Sequence, residues 1–267
     1  MKRTLKIIII TTLLAITACS PKPYATTNKA YKQQVKQYAK LLQQYPLQDS
    51  VGNAPYFVGT TNFNMRKPNF VIIHHTAQNS CEQTLKTFTL PRTQVSAHYI
   101  ICKDGTVHHM LNDYLRAWHA GNSYWSGVTD VNSASIGIEL DNNGAEIFDD
   151  RQLASLLQLL ARLKASFNIP TTNFIGHADI APTRKNNPNK FFPWYTLAAN
   201  GYGNWYADTT AIQVPTNFSA VTAFRIIGYN TKDTMAVIQT FKRKYNPTDS
   251  LPYLTEADKK ILYRLTQ

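Results

Sequence analysis

Two histidines stand where side chains of a sheet can meet to do chemistry. His74 ends the apolar run at residues 70–74, and His177 directly follows the short apolar run at residues 174–176. Because the carboxyl ends of parallel strands meet at one edge of a sheet, both imidazoles could bind one metal ion or exchange protons there. A histidine in such a position is more often a hydrogen-bonded core residue, and no short ligand motif joins the two. Their spacing alone therefore leaves a metal site as a hypothesis.

The elements that would position these histidines alternate between strands and helices. Continuous apolar runs that suit buried strands lie at residues 70–74, 98–102, 136–140 and 174–176. A stripe of leucines between residues 149 and 167 predicts an amphipathic helix, which Pro170 ends. This alternation predicts an α/β domain.

Beyond residue 217 the apolar residues form three short segments at helical spacing. Gly228 separates the first segment from the second, and Pro247 separates the second from the third. Thr255 and Asp258 have the spacing of a capping box, which marks the start of the last segment. We therefore predict a small C-terminal three-helix module over residues 218–267.

The formal net charge of +12 raises the question of a nucleic-acid partner. The basic surplus is confined to the two ends, because residues 67–217 contain equal numbers of basic and acidic residues. A DNA-binding domain would need that surplus on its folded surface. The charge distribution argues against a nucleic-acid partner, and we expect the basic flanks to face anionic lipid headgroups or wall polymers instead.

The first residues have the order of a secretory signal. Three basic residues precede an apolar run at residues 7–16, which is too short to span a bilayer stably. Ile16-Thr17-Ala18-Cys19 resembles the bacterial lipobox, in which the cysteine is acylated and the chain is cut in front of it. We predict export and a membrane anchor through acylated Cys19. The alternative is an ordinary signal peptide with a chance cysteine at its end.

A series of short motifs carries a family resemblance. In order, they are FVIIHHTA at residues 70–77, VSAHY at 95–99, AWHAG at 117–121, SIGIE at 135–139, GHADIAPTRK at 176–185 and PW at 193–194. Together they resemble the zinc-dependent N-acetylmuramoyl-L-alanine amidases of the type 2 amidase family, in particular its outer-membrane lipoprotein branch. The resemblance implies a mixed central β-sheet flanked by helices, a fold that this family shares with peptidoglycan recognition proteins. More weakly, the C-terminal module resembles a small peptidoglycan-binding-like helical module.

The resemblance also implies a reaction and the residues that carry it out. The family hydrolyses the amide bond between N-acetylmuramic acid and L-alanine in peptidoglycan, with one Zn²⁺ held by two histidines and a third ligand. His74 and His177 match the two histidines. Glu139 matches the glutamate that moves a proton, and Lys185 matches a lysine that stabilises the oxyanion. The implied location is the outer membrane, facing the periplasm.

One position departs from the family pattern. Asn187 stands where the lipoprotein branch has its aspartate ligand. An amide oxygen is neutral and a weaker zinc donor than a carboxylate, so zinc affinity should be lower. Three outcomes are open: Asn187 binds through its amide oxygen, another group such as Asp179 replaces it, or the site holds little metal. We favour the first, because Asn nearly copies the shape of Asp.

The substitution keeps a non-catalytic alternative open. A peptidoglycan-binding lipoprotein with a weakened zinc site is the competing interpretation, although Glu139 and Lys185 favour an enzyme. The residues matched to a substrate groove are Tyr99, Trp118, His119 and Asn132. Core packing is an equal alternative for Tyr99 and Trp118. We expect a monomer, in which Cys81 and Cys102 either form a disulfide or are two buried thiols.

The whole chain is thus expected to have four segments. They are a lipoprotein signal peptide at residues 1–18, a tether with a short amphipathic helix at 19–60, an amidase catalytic domain at 61–212 and the helical module at 218–267.

Overall fold

The computed structural model describes residues 22–44 and 59–267, in two compact units divided between Asn62 and Phe63. The first unit contains helix α1 (Ala25–Leu42), none of whose residues is buried. The predicted signal peptide at residues 1–18 and the predicted lipid site Cys19 lie outside the described residues. Within the described ranges, none of the helices has the length and apolar character needed to cross a bilayer.

The second unit is built on a five-stranded sheet. Its strands are β1 (Phe70–His75), β2 (Tyr99–Ile101), β3 (Val107–His109), β4 (Ser135–Leu140) and β5 (Phe174–Gly176). They lie in the order β3-β2-β4-β1-β5. Strand β1 pairs in parallel with β4 and β5, β2 pairs in parallel with β4, and β3 is antiparallel to β2. Every residue of β1 and β4 is buried, which explains their continuous apolar character.

Five helices of the described residues lie between the strands or follow β5, ahead of the C-terminal helices. They are α2 (Cys81–Thr89), α3 (Val131–Ala134), α4 (Asp150–Phe167), α5 (His177–Ile180) and α6 (Trp194–Ala199). Helix α4 begins where the Asp149 carboxylate accepts the Arg151 backbone N–H, and it ends at Asn168 in a left-handed conformation. A disulfide between Cys81 and Cys102 joins the first residue of α2 to the end of β2, which decides between the two predicted states of these cysteines.

The chain ends in the three predicted helices. They are α7 (Ala220–Ile227), α8 (Thr234–Tyr245) and α9 (Glu256–Arg264). Each begins at a side-chain cap, supplied by Ser219, Asp233 and Thr255 respectively. Thr255 and Asp258 form the predicted capping box.

The two faces of the sheet bury two different cores. Val71 and Ile73 of β1 pack with the leucines of α4 on one face. Phe70 and Ile72 point the other way, because side chains alternate along a strand, and they share a core with Phe224, Phe241, Tyr245 and other residues of the C-terminal helices. The predicted module therefore belongs to the same compact unit as the sheet.

Candidate active site

The sheet brings three of the predicted site residues to one edge. His74 and Glu139 are paired neighbours near the carboxyl ends of the parallel strands β1 and β4. His177 follows directly after β5, which lies on the other side of β1. The fold therefore places His74 between the other two side chains.

The rings of His74 and His177 face each other through their Nδ1 atoms. Nδ1 of His74 lies 2.8 Å from Nδ1 of His177, and it lies 3.7 Å from Oε1 of Glu139. Burial, with a smaller contribution from the nearby Lys185 charge, lowers the pKa of His74 well below its usual value and lowers the pKa of His177 to about 3. Without a bound cation, both rings are therefore neutral at neutral pH.

A chain of hydrogen bonds determines which nitrogen of His74 carries the proton. The Ser135 hydroxyl donates to the Val131 carbonyl at 2.6 Å, so its oxygen accepts from Nε2 of His119 at 3.2 Å. Burial also keeps His119 neutral, because it lowers the pKa of that ring well below its usual value. Nδ1 of His119 therefore accepts from Nε2 of His74 at 3.1 Å. This assignment leaves Nδ1 of His74 with a free lone pair.

His177 has the same protonation pattern for a simpler reason. Its Nε2 lies 3.2 Å from the backbone oxygen of Ala120, which can only accept a hydrogen bond. Nε2 therefore carries the proton, and Nδ1 has a free lone pair. Two lone pairs directed at each other across 2.8 Å repel, unless a cation lies between them. The arrangement fits a metal ion bound by both Nδ1 atoms.

Asn187 supplies a third possible metal ligand beside His177. Its side-chain oxygen Oδ1 is buried, and no hydrogen-bond donor in the described residues satisfies it. The backbone N–H of Ala178 donates to the Asn187 carbonyl at 2.8 Å, which ties the residue to the turn that carries His177. Because a buried polar oxygen without a partner is costly, Oδ1 fits the role of a metal ligand. Of the three predicted outcomes, this geometry favours ligation by Asn187.

Asp179, the predicted substitute, is engaged elsewhere. Its Oδ1 accepts from Tyr229 and its Oδ2 accepts from Lys244 and from the Gly176 backbone N–H. The carboxylate is only 2% exposed. Asp179 is thus a structural residue behind the site, as the favoured interpretation of the sequence expected.

Glu139 and Lys185 are the acid–base group and the cationic group predicted for the site. Burial raises the pKa of Glu139 to about 8, and the nearby Lys185 ammonium opposes that shift. Oε2 of Glu139 is buried and has no hydrogen-bond partner in the described residues. The carboxyl group therefore keeps one oxygen available to exchange a proton with a bound molecule.

Comparisons with known proteins identify the family. Residues 64–190 match the family model described as N-acetylmuramoyl-L-alanine amidase. The chain is 32% identical over 209 residues to the N-acetylmuramoyl-L-alanine amidase AmiD of Escherichia coli (strain K12), and the match covers 67% of this chain and 75% of that relative. This chain belongs to the type 2 N-acetylmuramoyl-L-alanine amidase family.

Solved amidase structures agree with this assignment. The complex of AmiD from E. coli with the substrate anhydro-N-acetylmuramic acid-L-Ala-D-gamma-Glu-L-Lys has a TM-score of 0.67 at 28% identity, covering 78% of this chain and 91% of that chain. AmpDh3 from Pseudomonas aeruginosa has a TM-score of 0.69 at 26% identity, covering 82% and 98%. The predicted family and the predicted mixed α/β fold are confirmed.

Within this amidase, three predicted substrate-groove residues are buried and engaged with the protein. The Tyr99 hydroxyl donates to Asp113 at 2.5 Å. The Asn132 side-chain oxygen accepts the backbone N–H groups of His119 and Ala120. His119 uses both ring nitrogens on His74 and Ser135. Because these polar atoms are already bonded inside the fold, the three side chains support the structure from within, and their place in the substrate groove stays a prediction.

Trp118 is the exception among the four. Its side chain is 53% exposed, next to the buried His119 in the chain. Its role in the substrate groove stays a prediction.

The sequence analysis did not identify His119 as the support of His74, although Gly137 indicates it. A Cβ atom on Gly137, in the middle of β4, would lie 2.4 Å from the His119 ring. Only glycine allows that ring to lie over the strand, and a glycine inside a buried strand often marks such a close approach. Ser135, two residues earlier on β4, then accepts from the far nitrogen of the ring.

A second group of possible metal ligands does not fit a metal. Cys81, Cys102 and His108 have ligand atoms within 4.8 Å of one another. Both sulfur atoms belong to the disulfide, and a metal requires thiolates. We therefore assign no metal to this group.

Proposed function

We propose that this chain hydrolyses the amide bond between N-acetylmuramic acid and L-alanine in peptidoglycan, using a zinc ion. The observation that supports the metal is the pair of Nδ1 lone pairs of His74 and His177, which face each other across 2.8 Å. His74, His177 and Asn187 would hold the ion. Three protein ligands leave a fourth position open, and zinc in such a site lowers the pKa of a bound water to about 7 and polarises a carbonyl.

Glu139 and Lys185 would act on the substrate itself. A zinc ion beside Glu139 would favour its ionised form over the protonated form that burial alone favours. The free oxygen of that carboxylate would accept a proton from the attacking water and then deliver it to the amine nitrogen of the leaving L-alanine. The Lys185 ammonium, whose positive charge acts on both histidines, would stabilise the negative oxygen that forms when water adds to the amide. The products are the muramic acid carboxylate and a free peptide amine.

Metal content and product release test this proposal together. The purified mature protein is analysed for bound zinc and incubated with peptidoglycan sacculi, and the release of peptides with a free L-alanine amine is measured by mass spectrometry. We expect zinc in the protein, release of such peptides, and loss of release after a chelator removes the metal. Binding to sacculi with neither zinc nor cleavage would favour the non-catalytic peptidoglycan-binding alternative, which the neutral third ligand keeps open.

We propose further that acylated Cys19 anchors the mature chain to the outer membrane, facing the periplasm. Helix α1, which follows shortly after that cysteine, contains four lysines and no acidic residue. Lys29, Lys32, Lys36 and Lys40 follow at spacings of three or four residues, so they share one side of the helix. Such a basic side would add electrostatic attraction to anionic headgroups to the acyl anchor.

Membrane fractionation separates the two contributions. Cys19→Ser should release the protein from the membrane fraction. Changing the four lysines of α1 to glutamate should lower retention at low salt while leaving acylation intact. Retention that is unchanged by the lysine substitutions would limit the anchor to the lipid alone.

A further inference from the structure

The C-terminal helices reach the candidate zinc site through one buried carboxylate. Asp179 Oδ2 accepts from Lys244 Nζ of α8 at 2.8 Å, and Asp179 Oδ1 accepts from the Tyr229 hydroxyl, which follows α7, at 2.5 Å. The same Oδ2 accepts the backbone N–H of Gly176 at 2.8 Å. Gly176 directly precedes His177, so the carboxylate links the helices to the backbone that carries a candidate ligand.

The turn held by Asp179 also positions the third candidate ligand. The backbone N–H of Ala178 donates to the Asn187 carbonyl at 2.8 Å. A Cβ on Gly176 would lie 3.0 Å from both Pro188 and the Trp194 ring, so the segments are closely packed. A displacement of the turn would therefore move His177 and Asn187 together.

Lys244 is an unusual residue for this contact, because burying an ammonium group is costly unless it is paired. Its side chain is 5% exposed, and its Nζ lies 4.2 Å from the centre of the Trp194 ring as well as beside Asp179. Fixed between a carboxylate and an aromatic face, Lys244 holds the carboxylate in one position.

A second buried lysine on the same helix provides a contrast. Lys242 Nζ pairs with Asp249 at 2.9 Å and with Asp258 at 3.0 Å, and its side chain is 3% exposed. Both partners belong to the C-terminal segment itself. Helix α8 therefore contains one buried lysine that joins the C-terminal segment internally and one that joins it to the turn of His177.

We infer that Lys244 and Tyr229 are positioning residues for the zinc site. They fix Asp179, which fixes the backbone at Gly176 and His177, so the C-terminal helices form part of the support of the metal centre. The inference rests on the proposed zinc site. It gives the C-terminal helices a role that is separate from any contact with peptidoglycan.

The two buried lysines allow a matched test on the full mature chain. Zinc affinity is measured by competition with a chromogenic chelator, and the stability of the metal-free protein is measured by urea unfolding. We expect Lys244→Met to weaken zinc binding about tenfold, the lower end of the range for partners of a metal ligand, because Lys244 acts on His177 only through Asp179 and the backbone. Tyr229→Phe should weaken it by a smaller factor. The control Lys242→Met should lower stability but leave zinc affinity within about twofold.

Hydrogen exchange of the metal-free protein keeps this inference separate from the proposed function. Lys244→Met should accelerate exchange of the Gly176 and Ala178 amides relative to Lys242→Met, whether or not the wild-type protein binds zinc. Zinc binding by the wild type with equal affinity losses in the two lysine variants would overturn the inference. Unchanged exchange at both amides in Lys244→Met would also overturn it. Absence of zinc from the wild type, with accelerated exchange in Lys244→Met, would reject the proposed zinc site while the positioning of the turn stands.

Discussion

The two histidines of the site are supported in different ways. His74 is backed by a neutral chain of side chains, His119 and Ser135, which ends on a backbone carbonyl. His177 is backed by a single backbone carbonyl, that of Ala120. Behind the His177 turn lies a charged cluster around Asp179 that includes side chains from the C-terminal helices.

This difference separates two requirements of a metal ligand. The hydrogen-bond chain through His119 and Ser135 determines the tautomer and the orientation of the His74 ring, because it acts on Nε2 of His74 directly. The cluster behind the His177 turn acts on the main chain, so it determines the position of the His177 backbone from which the imidazole ring extends. The first support can therefore be broken by removing a hydrogen-bond acceptor, and the second by releasing the backbone.

The largest expected effect concerns a residue that we assign to neither support. Glu139 lies 3.7 Å from the His74 ring and keeps one oxygen free. Glu139→Gln should lower kcat by about 10²- to 10⁴-fold, because it removes a proton acceptor in the reaction. Zinc affinity, measured by chelator competition, should stay within about twofold of wild type. A large loss of zinc affinity in this variant would place Glu139 in the support of His74.

Much of this arrangement could be predicted from the sequence. Apolar runs that end in His74 and before His177 predicted two buried strands with histidines at one edge, and the structure has both strands. The predicted helix over residues 149–167 lies within one residue of the observed helix, and three helices follow beyond residue 217 as predicted. These elements have strong periodicity or clear caps, so local sequence determines them.

The supports behind the ligands could not be predicted in the same way. His119 was expected in the substrate groove, whereas its ring is buried behind His74. The pattern of residues in a loop does not indicate which way a side chain points. Lys244 and Asp179 are 65 positions apart, and their contact depends on how α8 packs on the sheet. Only the tertiary structure reveals such a contact.

Breaking the support of His74 should have the next largest effect. His119→Phe keeps an aromatic ring but removes the acceptor for His74 Nε2, so the ring loses its fixed orientation. We expect zinc affinity to fall by about 10- to 100-fold, more than in Lys244→Met, because His119 contacts the ligand directly. Chelator competition on the purified protein measures the change.

His98 provides the matched control for this substitution. It is also a buried histidine, and its Nδ1 accepts the backbone N–H of Gly137 at 3.0 Å. His98→Phe leaves this backbone donor without an acceptor and also removes the contacts of His98 Nε2 with Leu115 and Arg66, but none of these partners is a candidate ligand. Stability should fall in both variants, and zinc affinity should fall only in His119→Phe. Equal zinc affinities in the two variants would show that His119 is an ordinary core residue.

A substitution at Asn187, beside His177, should raise zinc affinity instead of lowering it. Asn187→Asp replaces a neutral amide oxygen by a carboxylate at the third ligand position, and zinc affinity should rise about tenfold. Asn186→Asp is the matched control, because it adds the same charge at an exposed neighbour. If both variants bind zinc equally more tightly, the effect is a general attraction for the cation, and Asn187 is not a ligand.

The smallest expected effect tests whether the two supports are independent. Ser135→Ala removes the acceptor for His119 Nε2 and should weaken zinc binding about threefold, the size of one modest hydrogen bond. In the His119→Phe background the same change should have no effect, because the chain is already broken. Lys244→Met should keep its full effect in that background, within about 0.5 kcal/mol, because it acts on the other histidine. Strong coupling between Lys244 and His119 would instead mean that the two histidines share one support.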